Sequence, residues 1–408
     1  MKRKIMQNNV NRKNSSLLST RRTYRFLVVL YSTIEYDGRA QRMIDVLSTL
    51  GEVLLVDIAA PFDRKNDELV GKWLLRKSVK LPTRIGRMAR HIKFWMEVIQ
   101  VAKRYKPNVI VAEDFLTTLP SWLAARMGGS RLIYDAHELI IPDQGRKMSK
   151  RAMVWYLLER WVVARADLVI AANPERAELM AEHYRLQRVP EYMRNIPPRR
   201  QLTSEEERHV SRSYPSLNRK STEDRIILYQ GVISLKRGLA RFIDALGFLP
   251  SNYRLILVGD GPDLVQVKQL GERWEKEGRF IALGRVPNLF LPALTARADV
   301  GIVTYPYEGL NNIYCAPNKL YEYTQAGLPV IATDQPPLKS VVRKYQIGVV
   351  ISRNDGPREI AALLQELINR KDNYCANLNA FIKAHRWEKE ASRVRLAIEG
   401  VLKTIDGI

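Results

Sequence analysis

The chain has 408 residues, 46% of them hydrophobic and 8% aromatic, enough for two domains with cores of their own and too apolar for a disordered protein. Cys315 and Cys375 are its only cysteines, which excludes a disulfide framework or a cysteine zinc site and fits a reducing cytoplasm. No apolar run nears the roughly 18 residues that span a bilayer, and the net charge of +23 is lopsided: residues 1–200 hold 37 Lys and Arg against 20 Asp and Glu, residues 201–408 hold 29 against 23.

In chain order, residues 1–22 are rich in Asn, Ser, Lys and Arg and read as a flexible basic tail. Basic residues before the apolar run 26–30 echo a signal peptide. No small-residue cleavage site follows, and Glu35, Asp37, Arg39 and Arg42 come next, so the run reads as a first β-strand. Apolar runs at 25–31, 52–57, 109–112, 131–135 and 168–172 alternate with helical patterns at 40–50, 120–127 and 151–166. That rhythm predicts a mostly parallel sheet covered on both faces. In the loop after the first strand, Gly38 could bring backbone close to a phosphate and Arg39 or Arg42 neutralise it, while Asp37 equally suits a helix N-cap.

Residues 71–106 carry eleven Lys and Arg against Glu97 alone, interleaved with Trp73, Leu74, Leu75, Ile85, Met88, Ile92, Phe94 and Trp95. Cations mixed with apolar anchors suit the surface of an anionic membrane, where each nearby cation contributes about 1 kcal/mol. The candidate docking surface is Arg84, Arg87, Arg90, Lys93 and Trp95. Nucleic acid is an unlikely partner, because the stretch carries no nucleic-acid motif, and a plain solvated basic face is the bland alternative.

The Pro-rich segment 194–200 and the polar stretch 203–222 read as a linker, with a boundary near residue 198. Beyond it the rhythm repeats, with strands at 226–230, 254–258, 280–283, 300–304 and 330–333. Residues 387–402 have helical period. Two doubly wound domains follow, and parallel sheets of this kind bind ligands at the carboxyl ends of their strands.

The densest signal is 316–334. Pro317 suits a first helical turn, Gly327 its C-terminal stop, and a buried strand follows at 330–333. The free amides of Asn318 and Lys319 favour an anion, and the Glu322 carboxylate could take both hydroxyls of a ribose or lie solvated on the helix. Lys236 and Arg237 before Gly238 are candidates to stabilise a departing diphosphate. His137, after the strand ending in Asp135, is a candidate site histidine, although a lone histidine there is more often structural.

Pro317-Asn-Lys-Leu-Tyr-Glu-Tyr323 followed by Ala326-Gly-Leu-Pro-Val-Ile-Ala332 resembles the donor-binding helix of retaining GT-B glycosyltransferases of family 4. Tyr229–Leu239 resembles that family's phosphate loop, Leu257–Pro262 its second Gly loop, Leu283–Pro287 its base-binding strand end, Tyr134–Glu138 its central signature and Asn195–Pro198 its interdomain signature. The resemblance runs from about residue 24 to 384.

It implies two Rossmann-like domains facing a cleft: an acceptor domain at 23–198, a nucleotide-sugar domain at 199–385, and a C-terminal helix at 386–408 crossing back onto the first. It implies catalytic roles for His137, Lys236, Arg237 and Glu322, and donor binding by Gly38, Gly231, Gly259, Gly261, Arg285, Asn312, Asn318, Lys319 and Glu322. The reaction it implies is transfer of a hexose from a nucleotide donor, UDP-linked by preference, to a lipid-linked or glycan acceptor in cell-surface polysaccharide synthesis. The enzyme would be cytoplasmic, peripheral on the inner face of the membrane, with no cofactor and no metal.

The sequence departs from the family at two positions. Val232 stands where the family has Arg, leaving Lys236 as a possible substitute, and Tyr314 stands where the first of two glutamates eight positions apart is expected. Asn311, Asn312, Glu308 and the amides around Asn318 are candidates to take over the sugar hydroxyls. The alternative is a GT-B scaffold subunit with weak or no catalysis. A nucleotide-sugar isomerase would need acid–base carboxylates that the sequence does not identify.

Overall fold

The computed structural model describes residues 23–59, 75–82, 86–143, 147–219 and 221–407. The tail at 1–22 and Trp73, Leu74, Arg84 and Ile85 of the basic segment lie outside these residues. Contacts divide the chain into two compact units, one up to Tyr134 together with the residues from Val401, the other from Asp135 to Gly400.

In the first unit, β1 (Tyr24–Leu30), β2 (Gly51–Ile58), β3 (Leu75–Val79), β4 (Val109–Glu113) and β5 (Arg131–Asp135) lie in the order β3-β2-β1-β4-β5. β1 is central: Tyr24–Val29 pair in parallel with Gly51–Val56 on one side, and Phe26–Leu30 with Val109–Glu113 on the other. Phe26 to Val29 and Val109 to Ala112 are fully buried, as strands covered on both faces require. Helices α1 (Gly38–Ser48), α2 (Arg87–Tyr105) and α3 (Thr118–Gly128) complete the unit.

The sequence offered no helix for α2, because its cations masked a buried stripe of His91, Phe94, Val98 and Ala102 at helical spacing. Its outer side exposes Met88, Ile92 and Met96, one turn apart, beside Arg87, while Arg90, Lys93 and Trp95 are half-buried. Among the described residues no helix is long and apolar enough to cross a membrane.

The second unit begins with α4 (Lys150–Val163), β6 (Leu168–Ala171), α5 (Pro174–Tyr184) and the short β7 (Glu191–Tyr192), which pairs in parallel with β6. Composition placed a boundary near 198. Contacts draw residues 135–198 into the second unit, where Asn173, Arg176 and Asn195 hydrogen-bond to backbone carbonyls between 311 and 316. The stretch read as linker contains a helix, α6 (Ser204–Ser213), closed by a capping box in which Thr203 and Glu206 satisfy each other's backbone amides, with Val210 buried beneath.

The large sheet of this unit runs β10 (Phe280–Gly284), β9 (Tyr253–Val258), β8 (Arg225–Gln230), β11 (Val300–Val303), β12 (Val330–Thr333), β13 (Gly348–Ile351), all parallel. Flanking it are α7 (Leu239–Ala245), α8 (Leu264–Lys276), α9 (Leu291–Thr295), α10 (Leu310–Ile313), α11 (Asn318–Gln325), α12 (Pro336–Tyr345), α13 (Pro357–Asn369) and α14 (Cys375–Ala384). Apolar clusters on both faces of the sheet form the core, each fully buried aliphatic side chain contributing roughly 1.5–3 kcal/mol. The final helix, α15 (Trp387–Asp406), ends in the first unit, where Tyr24 donates to the Asp406 carboxylate and Arg131 to the Thr404 carbonyl at 3.3 Å.

Candidate functional site: the switch point of the second sheet

Strand order in the large sheet reverses between β8 and β11, so the loops leaving these two strands diverge and open a crevice at their carboxyl ends. The loop after β8 is shaped by glycines. Gly231 has φ +130° and Gly259, at the end of β9, φ +136°; a Cβ on Gly259 would meet the Gly231 carbonyl oxygen at 1.9 Å, and one on Gly261 the Ile233 carbonyl oxygen at 2.1 Å. The loops after β8 and β9 are therefore pressed together by residues that have no side chain. Gly231 N donates to Val258 O at 2.8 Å and Ile233 N to Asp260 O at 2.9 Å.

Helix α11 sits over this switch point. Gly301 in β11 leaves room for the Tyr323 ring, which a Cβ would meet at 2.2 Å, and Tyr323 Oη accepts from Gln230 N at 2.8 Å. The helix closes at Gly327, φ +76°, as the sequence predicts; its start falls one residue later than expected, with Pro317 as N-cap. Asn318 is exposed at its tip, Lys319 is buried and Glu322 is half-buried one turn on.

Arg237 Nη1 donates to Thr304 O at 3.2 Å, and its guanidinium lies 4.7 Å from the centre of the Tyr305 ring. Lys319 Nζ lies 4.1 Å from the centre of the Tyr229 ring and 5.6 Å from that of Tyr305. Burial, and then the Arg237 charge, hold the Lys319 amine well below the usual lysine range. Burial pushes the Tyr229 phenol up to about 12, and its Oη donates to Val232 O at 2.6 Å.

The other expected residues are spread around this centre. Lys236 is exposed and pairs with Glu308 at 3.2 Å; Arg285 is exposed and pairs with Asp260 at 3.1 Å. Asn312 Nδ2 donates to Glu308 O at 2.7 Å. His137 Nε2 lies 3.6 Å from the buried Asp135 carboxylate. Gly38 opens α1 in the first unit, where Asp37 takes the N-cap role, its carboxylate accepting from Ala40 N at 3.0 Å.

Sequence reasoning missed the clamp on segment 308–316. Arg176 donates to the carbonyls of His137 (2.8 Å), Asn311 (2.8 Å) and Tyr314 (2.7 Å), Asn173 to that of Cys315 (2.9 Å) and Asn195 to that of Ala316 (3.0 Å). Asn311 Oδ1 accepts from Leu139 N at 2.9 Å and its amide donates to Glu138, while Asp143 accepts from Leu310 N at 2.7 Å. The only sequence signal was Asn173-Pro174, a cap followed by a first-turn proline, which announces α5 but not the reach of Arg176. Beside the clamp, Tyr314, Tyr156, Arg160, His183 and Gly309 line a cavity of about 970 Å³.

Comparison with known proteins divides the chain between residues 195 and 212, close to the boundary that composition gives. Residues 52–195 match the glycosyl transferase 4-like domain, and residues 212–393 match the family of glycosyl transferases group 1. The chain belongs to the group 1 glycosyltransferases. The chain is 27% identical over 183 residues to the phosphatidyl-myo-inositol mannosyltransferase of Mycobacterium tuberculosis, a match covering 41% of this chain and 44% of the relative, so it spans less than half of that enzyme's length.

In fold it is similar to Anabaena HepE crystallised with UDP-glucose, with a TM-score of 0.69 at 16% identity over 92% of this chain and 99% of that one. It is also similar to WaaG, a glycosyltransferase involved in lipopolysaccharide biosynthesis, with a TM-score of 0.66 at 15% identity over 91% and 98%. Its two parallel-sheet Rossmann-like domains have the GT-B fold, as the sequence predicts.

Proposed function

We propose that this glycosyltransferase moves a hexose from a UDP-sugar to a lipid-linked or glycan acceptor, with retention of configuration, in cell-surface polysaccharide synthesis. The observation that carries the reading is the convergence of Arg237, the pressed glycine loops and the start of α11 on the β8/β11 switch point. An anion lying there meets a guanidinium and free helix amides, and Glu322 on α11 takes the ribose hydroxyls. HepE, of the same fold, was crystallised with UDP-glucose, which supports a nucleotide-sugar donor.

In the reaction, the bond between the anomeric carbon and the diphosphate oxygen breaks, the acceptor hydroxyl oxygen bonds to that carbon on the same face, and its proton passes to the leaving diphosphate. Arg237 and the amides of α11 stabilise the charge that develops on the diphosphate, without a metal or cofactor. His137, held beside Asp135, orients a hydroxyl of the transferred sugar. The exposed Met88, Ile92 and Met96 of α2, with Arg87, Arg90 and Lys93, support a peripheral position on the inner face of an anionic membrane.

A scaffold subunit without turnover is the second reading, favoured by Tyr314 and Val232 at positions where the family carries ligand-binding side chains. Incubation of the purified protein with UDP-, GDP- and ADP-sugars, with and without a membrane lipid extract, separates the two. Extract-dependent release of one nucleoside diphosphate establishes transfer. No release from any donor, with UDP binding intact by calorimetry, establishes the scaffold.

A further inference from the structure

The family's loop after β8 carries two basic side chains, and in this chain the first of them is Val232, which is half exposed. Lys236, the other candidate, is exposed and pairs with Glu308 at 3.2 Å. Lys319 is placed differently. The residue is 7% exposed, and among the described residues its Nζ has no hydrogen-bond partner. A buried ammonium without a partner costs several kcal/mol of desolvation, so an amine held this way stands out in a well-packed domain.

Its surroundings are built for something the protein itself does not supply. The space that a Cβ would fill at Gly231 is walled by Lys319 Nζ at 3.4 Å, Lys319 Cε at 3.7 Å and Tyr229 Oη at 3.8 Å. An anionic oxygen settled on the bare face of Gly231 would thus lie within reach of the amine. Arg237 and Lys319 share the Tyr305 ring, at 4.7 and 5.6 Å from its centre. Arg237 and a protonated Lys319 on one ring would repel each other, so an anion lying between them favours the protonated amine.

We infer that Lys319 is the second cation of the diphosphate site, taking the place of the basic side chain absent at Val232. The inference rests on the nucleotide-donor reading and extends it: the cation comes from the donor helix α11 instead of the loop after β8. Donor recognition and leaving-group binding are thereby joined on one helix, with Lys319 and Glu322 one turn apart.

A consequence follows for protons. Facing Lys319 are Arg237 from the turn after β8, Tyr229 from β8, Tyr305 after β11, Cys315 before α11 and Glu322 on α11 itself. Burial and Arg237 favour the neutral amine in the empty site, whereas a bound diphosphate favours the ammonium. Diphosphate binding therefore takes up a proton, and affinity falls as pH rises above the lowered value of the empty site.

The test uses the full chain and UDP by calorimetry between pH 7.5 and 9.5, where the terminal phosphate, with a second pKa of about 6, is already ionised. In two buffers of different ionisation enthalpy the wild type should show net proton uptake. Lys319→Met should abolish that uptake and weaken UDP at least ~10-fold, with no loss of thermal stability, and Val232→Arg added to Lys319→Met should restore affinity without restoring uptake. Wild-type binding without proton uptake, or Lys319→Met affinity within about twofold of wild type, overturns the inference while leaving the donor reading intact. If the wild type binds none of UDP, GDP and ADP, the donor reading falls and takes the inference with it. The uptake measurement needs no variant, so it decides the matter even if Lys319→Met fails to fold.

Discussion

Both sheets reverse their strand order after the central strand, but the ionic groups near their strand ends are arranged in opposite ways. Near the end of β2 in the first sheet, Arg76 meets Asp57 at 2.6 Å and Glu35, in the loop after β1, at 2.5 Å; Asp57, fully buried, also accepts from Ser78 Oγ at 2.7 Å. That cation is answered from inside the protein. In the second sheet Arg237 and Lys319 hold no carboxylate at ion-pair distance among the described residues, and stand over aromatic rings instead. A closed ion cluster contributes to folding. A guanidinium and a buried amine left unanswered wait for a ligand. The same topology thus yields a structural site in one unit and a candidate binding site in the other, and the difference lies in which side chains the loops return.

That contrast can be broken experimentally. Arg76→Leu should cost about 3 kcal/mol of unfolding free energy or more in urea titration, because it strands a fully buried carboxylate; a loss under about 1 kcal/mol would mean that the cluster is not structural. Arg237→Ala should behave in the reverse manner, leaving the urea midpoint near wild type while kcat falls roughly 10²–10³-fold, the usual effect of removing one group that stabilises developing charge. Unaltered kcat would take Arg237 out of the reaction.

The first unit does offer cations to the outside, but on the surface of α2. Replacing Arg87, Arg90 and Lys93 together by Gln should weaken sedimentation with anionic vesicles by about 3 kcal/mol while UDP binding persists; undiminished sedimentation would refute α2 as the docking surface. The smallest change expected is for Glu322→Ala, which should raise the donor Kd on the order of 10-fold, about 1.4 kcal/mol, through loss of the ribose contact. An unchanged Kd would remove that assignment and leave the second switch point as a site for the diphosphate alone.

Much of the fold was legible because fully buried parallel strands announce themselves as short apolar runs. All ten strands expected from such runs are present within a residue or two of their expected ends. Those that escaped notice were β3, whose Leu75-Arg-Lys-Ser-Val79 is mostly polar, the two-residue β7, and β13 at the far edge. Polar or very short edge strands carry no run to detect. The chain segment 316–334 was legible in nearly every local feature, since proline, glycine and helical period are local signals.

The amino-acid sequence by itself determined the alternation of strands and helices, the two parallel sheets, the glycines at the loop contacts and the family to which the chain belongs, because each depends on residues close together in the chain. Only the tertiary structure decided which charges are answered. Arg237 and Lys319 are 82 positions apart and meet because β8 and β11 are neighbours, and Arg176 reaches the Tyr314 carbonyl across 138 positions because α5 packs against the segment before α11. Whether a cation is neutralised by the protein or left for a ligand depends on distances between such residues, which no local pattern encodes.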